Sequence, residues 1–384
     1  MTAVVPKHLI FLHKARRLCI ILGCIYVLVV ALGTTPFAQA QLLFMHNLRR
    51  PFFVQYDMPE MYDLAPFKVQ NVRIQTADNE TLGAWFTFAD PFYASHKHHL
   101  LSVPTTSLSS PGSNAVSRDD LIPYATRLRA NVLAPDYRGF ADSTGTPTEA
   151  GLTLDTRAAW DWLRAHGASP DNLLIVGSSL GTGVAVQFAS ALEEEVARAD
   201  TEARVVNSKL EALIDTYYIL GLMPLFAPLR TVPYLFEAFP NWPLALSAGT
   251  SYVPSYSGIL LDVKAPVLIV HAEDDQDIPV WHAQQLFNAF LEKYLPPLPE
   301  ITAKMVEGST ETVKERFSAL LEERATRRGE LVAVQEMERV GRIEEFSRDR
   351  GDGKVVFLHT WWGAHDVGLV EGVQDYMAEM FKIG

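Results

Sequence analysis

The sequence predicts an α/β protein built on a mainly parallel sheet, and three observations carry that expectation. Short apolar strand-like runs alternate with helical segments, the pattern that right-handed crossovers turn into a parallel sheet covered by helices on both faces. A G-x-S-x-G stands at residues 177–181, between a strand-like run and an apolar helix. A carboxylate-rich loop and a late histidine then follow, so that serine, acid and base occur in that chain order.

Composition bounds what such a chain can do. Of 384 residues, 48% are hydrophobic and 20% charged, enough apolar matter for a sizeable core and too little bias for a disordered or repetitive chain. The net charge of −12 has the wrong sign for holding a phosphate backbone, which argues against nucleic acid as a partner. Cys19 and Cys24 are the only cysteines and both fall in one apolar run, so neither a disulfide framework nor a cysteine zinc site is expected.

That run, residues 18–32, reads LCIILGCIYVLVVAL and follows a basic tail, 1–17, containing Lys7, Lys14, Arg16 and Arg17. Extended through residue 38 it reaches about 20 mostly uncharged residues, the length that crosses a hydrocarbon core of about 30 Å. Residues 18–38 are therefore expected to be a transmembrane signal anchor. A cleaved secretory signal is the rival, because Ala38-Gln39-Ala40 is a small-x-small site, and a buried core helix is the third reading. The basic flank favours a cytosolic N-terminus. The expected localisation is a single-pass protein of the endoplasmic reticulum or another secretory-pathway membrane, its catalytic part lumenal, a side compatible with the glycosylation sequon at Asn79-Glu80-Thr81.

Residues 69–76 alternate as a strand, 77–80 supply turn residues, and 82–88 form the partner strand of a hairpin. Residues 92–114, rich in Ser, Pro and His, read as a surface loop, and His96, His98 and His99 within it lack further ligands at metal spacing. A helix is expected at 119–128, a strand at 131–135, and a helix at 148–164 with Ala158, Trp160, Trp162 and Leu163 toward the core. Residues 173–176 then form a strand that stops at Gly177.

The chemistry begins there. A serine hydroxyl projects from a sharp strand-to-helix turn only if its flanking positions carry no Cβ to crowd the bend, which is what Gly177 and Gly181 provide around Ser179. Ser179 is the candidate nucleophile, and the Leu180 N–H, at the positive end of the following helix, is the candidate oxyanion donor. A serine of ordinary pKa needs a base, and the base an orienting acid. Residues 266–270 are a buried strand leading into a loop with Glu273, Asp274, Asp275 and Asp277, any of which stands where parallel sheets gather catalytic groups. The last strand, 354–358, leads to His365, the favoured base over His359.

From about residue 52 to the C-terminus these motifs resemble the α/β-hydrolase superfamily, and within it the membrane-anchored monoacylglycerol and lysophospholipid lipase branch, the twelfth abhydrolase-domain group. Residues 134–143, APDYRGFADS, are similar to the family's D-x-R-G-x-G-x-S turn, with Ala141 in place of its second glycine. Residues 177–181 match the nucleophile elbow, and Gly363-Ala364-His365-Asp366 resembles the terminal G-x-H segment. Residues 271–279 match the family's H-G-x-x-D-x-x-V-P acid loop, and this resemblance selects Asp275 as the acid.

The resemblance also exposes two departures. The family's strand ending in a His-Gly pair, whose loop supplies a second oxyanion donor, has no counterpart here, and after the nucleophile helix only residues 203–206 could form the next strand. A sheet short of two strands is the consequence, and both a gene model with skipped exons and a noncatalytic protein fit it. Residues 210–255, crowded with aromatics and aliphatics, sit where the family inserts a lid; core packing is the bland alternative. Residues 299–352 read as a charged helical insertion, completing a hydrolase domain of 52–384.

The expected protein is thus a membrane-anchored serine hydrolase of lipid-like carboxylic esters with a Ser179, Asp275, His365 triad, needing no cofactor and no metal. Its expected partners are a lipid-like ester and the membrane, with no nucleic acid. The alternatives are a noncatalytic membrane-tethered hydrolase-like protein and, among enzymes, a peptidase or small-ester hydrolase.

Overall fold

The computed structural model describes residues 7–33, 44, 46, 55–100, 121–178, 180–198, 263–276, 278–298, 311–348 and 353–383. The expected lid at 210–255, the strand candidate at 203–206 and Ser179 itself lie outside these residues.

Among the described residues the strands lie in two sheets. The first contains β1 (Val69–Gln75), β2 (Thr81–Thr87) and β3 (Val132–Pro135) in that order, both pairings antiparallel. The expected hairpin is β1–β2, turning through Asn79 in the left-handed region at φ 66°. One face packs Ile74, Leu82 and Ala84 against Ala158 and Ala159 of α4 (Glu149–Ala165), and the other packs Val69 and Trp85 against Tyr56 and Leu64. Helix α4 starts where expected because the Thr148 hydroxyl accepts the Gly151 N–H at 3.1 Å, relieving an amide that has no partner inside the helix.

The second sheet runs β4 (Val267–Ala272), β7 (Val355–Thr360), β6 (Gly341–Phe346), β5 (Ala333–Met337). Strands β4 and β7 are parallel and the other neighbours antiparallel. Among the described residues this is the one parallel pairing; β1–β2 and β5–β6 are hairpins with short turns, and β2–β3 and β6–β7 pair antiparallel across longer connections. Helices cover both faces of this sheet over β4, β7 and β6. Phe287 and Phe290 of α6 (Trp281–Leu291) cover Ile269, Val355, Phe357 and Phe346, while Val373 and Met377 of α8 (Glu371–Phe381) cover Val356, Leu358 and Ile343. Phe287 is fully buried, with its ring 5.4 Å from that of Phe346, and its burial contributes roughly 2–3 kcal/mol.

Residues 173–176, expected as the elbow strand, run without a ladder partner among the described residues, and Ile175 and Val176 are exposed. The apolar run has strand chemistry, but a strand exists only against a neighbour. The expected loop at 92–114 begins instead as a helix, α2 (Asp90–Leu100), in which His96 stacks on Phe92 at 4.2 Å. The expected helix at 119–128 is α3 (Leu121–Arg127). Residues 299–352, read as helical, contain α7 (Glu311–Leu331) and then β5 and β6, which widen the second sheet. Arg328 of α7 reaches back to the buried Glu344 of β6 at 2.6 Å, tying helix and hairpin together.

The N-terminal run forms α1 (Lys7–Gly33), and here the localisation is corrected. Among the described residues no helix is long and apolar enough to cross a membrane. The described helix spends its first turns on Lys7, His13, Lys14, Arg16 and Arg17, and the described residues after them, 18–33, cover about 24 Å at 1.5 Å per residue, short of the roughly 30 Å required. The single-pass anchor at 18–38 and the lumenal placement built on it are not supported.

Candidate active site

The parallel pairing of β4 with β7 brings the acid and base loops together. In register, His271 lies beside His359 and Ala272 beside Thr360, so the loops leave neighbouring strands at the same level. The ladder continues one residue further through the Glu273 N–H to the Thr360 carbonyl, 2.8 Å.

Asp275 is placed by its own loop. The Asp275 N–H donates to the Ala272 carbonyl at 3.3 Å, and one carboxylate oxygen, Oδ1, accepts the Ile278 N–H at 3.0 Å. The other, Oδ2, lies 3.1 Å from His365 Nδ1, with the Asp275 side chain almost wholly buried and that of His365 partly open. A carboxylate only accepts, so this contact puts the His365 proton on Nδ1 and leaves Nε2 free to take another.

His365 sits in a short 3-10 helix, Ala364–Leu369, entered by a sharp bend. Gly363 holds φ 135°, and a Cβ there would come within 2.8 Å of the Val367 side chain, so glycine alone fits. Ala364 follows at φ 47°. That left-handed residue is pinned from the acid loop, since Asp274 Oδ1 accepts the Ala364 N–H at 2.8 Å. Asp274, passed over as the acid, thus ties the base-bearing turn to the acid-bearing one. His359, passed over as the base, bonds Glu273 at 2.7 Å and stacks on Phe357.

At the elbow, α5 (Leu180–Arg198) folds back directly over residue 177. A Cβ on Gly177 would meet the Gly181 carbonyl oxygen at 2.3 Å, so the two glycines of the motif touch across the bend. The Thr182 hydroxyl donates to the Gly177 carbonyl at 3.2 Å and the Gly181 N–H to the Ser178 carbonyl at 2.8 Å, closing the turn. Leu180 opens the helix, where backbone N–H groups have no intrahelical acceptor and face an incoming anion.

The D-x-R-G turn supports the elbow from the first sheet. The Arg138 guanidinium bonds the fully buried Asp155 through Nε and Nη2 at 2.9 and 2.8 Å and Asp78 through Nη1 at 2.6 Å. Arg138 holds the Asp78 carboxyl well below the usual range, while burial pushes the Asp155 carboxyl up against the pull of the same cation. Beside it, Tyr137 reaches to the first turn of α5, its hydroxyl 3.7 Å from where a Cβ on Gly181 would stand. Burial, and next the Asp155 charge, push that phenol up to about 12, so it keeps its proton. Ala141, in place of the family's glycine, adopts φ 48° and is buried.

Sequence reasoning named Asp275 and His365, which the fold brings into contact, weighed Asp274 only as an acid, and missed His271 and Asp155. The His-to-Asp spacing of four across 271–275, at the end of a strand, was the available signal for the first of these. Among the described residues no group of His, Cys, Asp and Glu could hold a metal ion.

The family model for the alpha/beta hydrolase fold matches residues 110–242. The chain is 29% identical over 298 residues to the lysophosphatidylserine lipase ABHD12 of Rattus norvegicus, covering 73% of this chain and 71% of that protein. Its identity with protein ABHD12B of Homo sapiens is 33% over 166 residues, 43% and 42% of the two chains. Among solved structures, an esterase from Pyrococcus furiosus aligns at a TM-score of 0.33 with 17% identity, over 69% of this chain and 93% of that one.

Proposed function

We propose that this chain, an α/β hydrolase, is a serine esterase that cleaves lysophospholipid- or monoacylglycerol-type lipids through an acyl-enzyme. The observation that carries the reading is the 3.1 Å contact between His365 Nδ1 and Asp275 Oδ2, which leaves a free basic nitrogen oriented by a buried carboxylate. Similarity to a lysophosphatidylserine lipase over most of the chain supports the substrate class.

In this mechanism Ser179 Oγ attacks the ester carbonyl while His365 Nε2 takes its proton. Asp275 stabilises the imidazolium so formed, and the Leu180 N–H at the start of α5 receives the developing oxyanion. His365 then gives its proton to the departing glycerol-type alcohol, leaving an acyl group on Ser179. Water repeats the sequence with His365 as base and releases the fatty acid.

The test is hydrolysis of a panel of lysophosphatidylserine, monoacylglycerol and a short-chain ester by the wild type and by Ser179→Ala. Long-chain lipid esters turned over by the wild type, with loss on the order of 10⁴-fold or more in the variant, are expected. Equal turnover by both proteins contradicts the reading.

A further inference from the structure

We propose that His271 is a positioning residue for the Asp275–His365 couple, acting through Ile278; this rests on the reading of those two groups as acid and base. His271 is the penultimate residue of β4 and is 9% exposed, although nothing in the ester chemistry above uses it. Its Nε2 lies 2.8 Å from the Ile278 carbonyl, an oxygen that only accepts, so the proton is on Nε2 and the imidazole is a donor.

Ile278 is thereby held at both ends. Its carbonyl is fixed by His271, and its N–H donates to Asp275 Oδ1 at 3.0 Å. Pro279 follows, and a residue before proline is confined to extended backbone. With residue 278 clamped in this way, Asp275 Oδ1 is engaged and Oδ2 is the oxygen presented to His365. Removing the imidazole donor leaves the part-buried Ile278 carbonyl without that partner, so the turn reorganises and the carboxylate loses its orientation.

The same nitrogen also stands 3.6 Å from Asp275 Oδ2, too long for a hydrogen bond and short enough for a strong charge interaction. While His271 is neutral this contact is passive. Once protonated, His271 becomes a second cation competing with His365 for one carboxylate oxygen, and the imidazolium that forms on His365 during attack is less stabilised. Among the described residues, the groups facing His271 are Asp275 from its own loop, His359 from β7 with its partner Glu273, and His365 from the 3-10 helix. Burial first, then the neighbouring histidines, push the His271 imidazole below its ordinary range, against the bond to Ile278 and the Asp275 charge. It is therefore neutral at neutral pH and charges only on the acid side.

The experiment compares full-length wild type, His271→Leu and His271→Gln by ester hydrolysis against pH and by the rate of labelling with a fluorophosphonate probe, with Ser179→Ala as the control. The leucine removes donor and charge, whereas the glutamine amide restores the donor to Ile278 and cannot titrate. Expected is a loss of about tenfold to a hundredfold in kcat and labelling rate for His271→Leu with KM little changed, and recovery of most of that loss by His271→Gln. The acid limb of kcat/KM is expected to steepen toward about two protons in wild type and to stay near about one in His271→Gln. A folded His271→Leu that labels at the wild-type rate, or acid limbs of equal slope, overturns the role of His271 and leaves the hydrolase reading standing. If His271→Leu does not fold, the slope comparison with His271→Gln decides alone. A wild type that the probe does not label overturns the hydrolase reading itself, and this inference with it.

Discussion

The acid–base end of the molecule and the elbow end are built by different means. Asp275 and His365 leave two strands that pair in parallel over six residues, and each loop is bonded to the other, through Asp275 to His365 and Asp274 to Ala364. The elbow hangs from residues 173–176, which have no ladder partner among the described residues, and its shape comes from Gly177 packed under Gly181 and from the Arg138 turn beside it. Strand pairing sets the two loops by register, so the candidate acid and base, 90 residues apart in sequence, leave the sheet side by side. A turn held by close glycine packing and a buried ion network concentrates its stability in a few side chains, and single substitutions there are felt more.

The largest expected effect therefore lies on the elbow side. Arg138→Met leaves the fully buried Asp155 without its counter-charge, and a loss of about 3–5 kcal/mol is expected in chemical denaturation. The pH trend sharpens this. In wild type, Arg138 depresses the Asp78 carboxyl, so that contribution is present above the unfolded value near 3.9 and is lost as pH falls. In the variant, the uncompensated Asp155 has its folded pKa raised, the folded state holds the extra proton, and stability falls as pH rises through the unfolded value. A variant whose deficit does not grow with pH from about 3 to 6 would show that Asp155 is not the group responsible.

A smaller effect tests strand pairing directly. Val356 of β7 is fully buried in the ladder and Val176 is half-exposed outside any ladder. Truncation to alanine is expected to cost about 2 kcal/mol at Val356 and less than about 0.5 kcal/mol at Val176, read from thermal melts. Equal costs would mean that residues 173–176 are buried against a strand after all. The smallest effect is at Asp274, an exposed side chain: Asp274→Asn weakens a charge-assisted bond to the Ala364 N–H and is expected to lower kcat by about fivefold with little change in melting temperature.

Local patterns carried much of the fold. The β1–β2 hairpin, the helix expected at 148–164 and the buried runs of β4 and β7 are all written in short stretches of chain, and the structure forms them within a few residues of those bounds. Long-range facts were less legible. Residues 173–176 have the composition of a strand, and only the neighbours decide whether a ladder forms. Residues 333–346 looked like more charged helix because β5 is an exposed edge strand, carrying Gln335 and Glu336 where a central strand would carry valine. The anchor expectation counted the apolar run 18–38, whereas the described helix is Lys7–Gly33, whose first turns carry Lys7, Lys14, Arg16 and Arg17. In the site, Asp275 and His365 could be named from motif order, but His271 and Asp274 act through backbone groups of other residues, Ile278 and Ala364, and no motif records a backbone partner.

The most direct measurement is the site of fluorophosphonate attachment, located by peptide mass spectrometry in wild type, His365→Ala and Asp275→Asn. A single adduct on Ser179 is expected in wild type, with labelling slowed by about 10⁴-fold or more in both variants. An adduct on another residue, or an adduct on Ser179 that forms at the wild-type rate without His365, would contradict the triad.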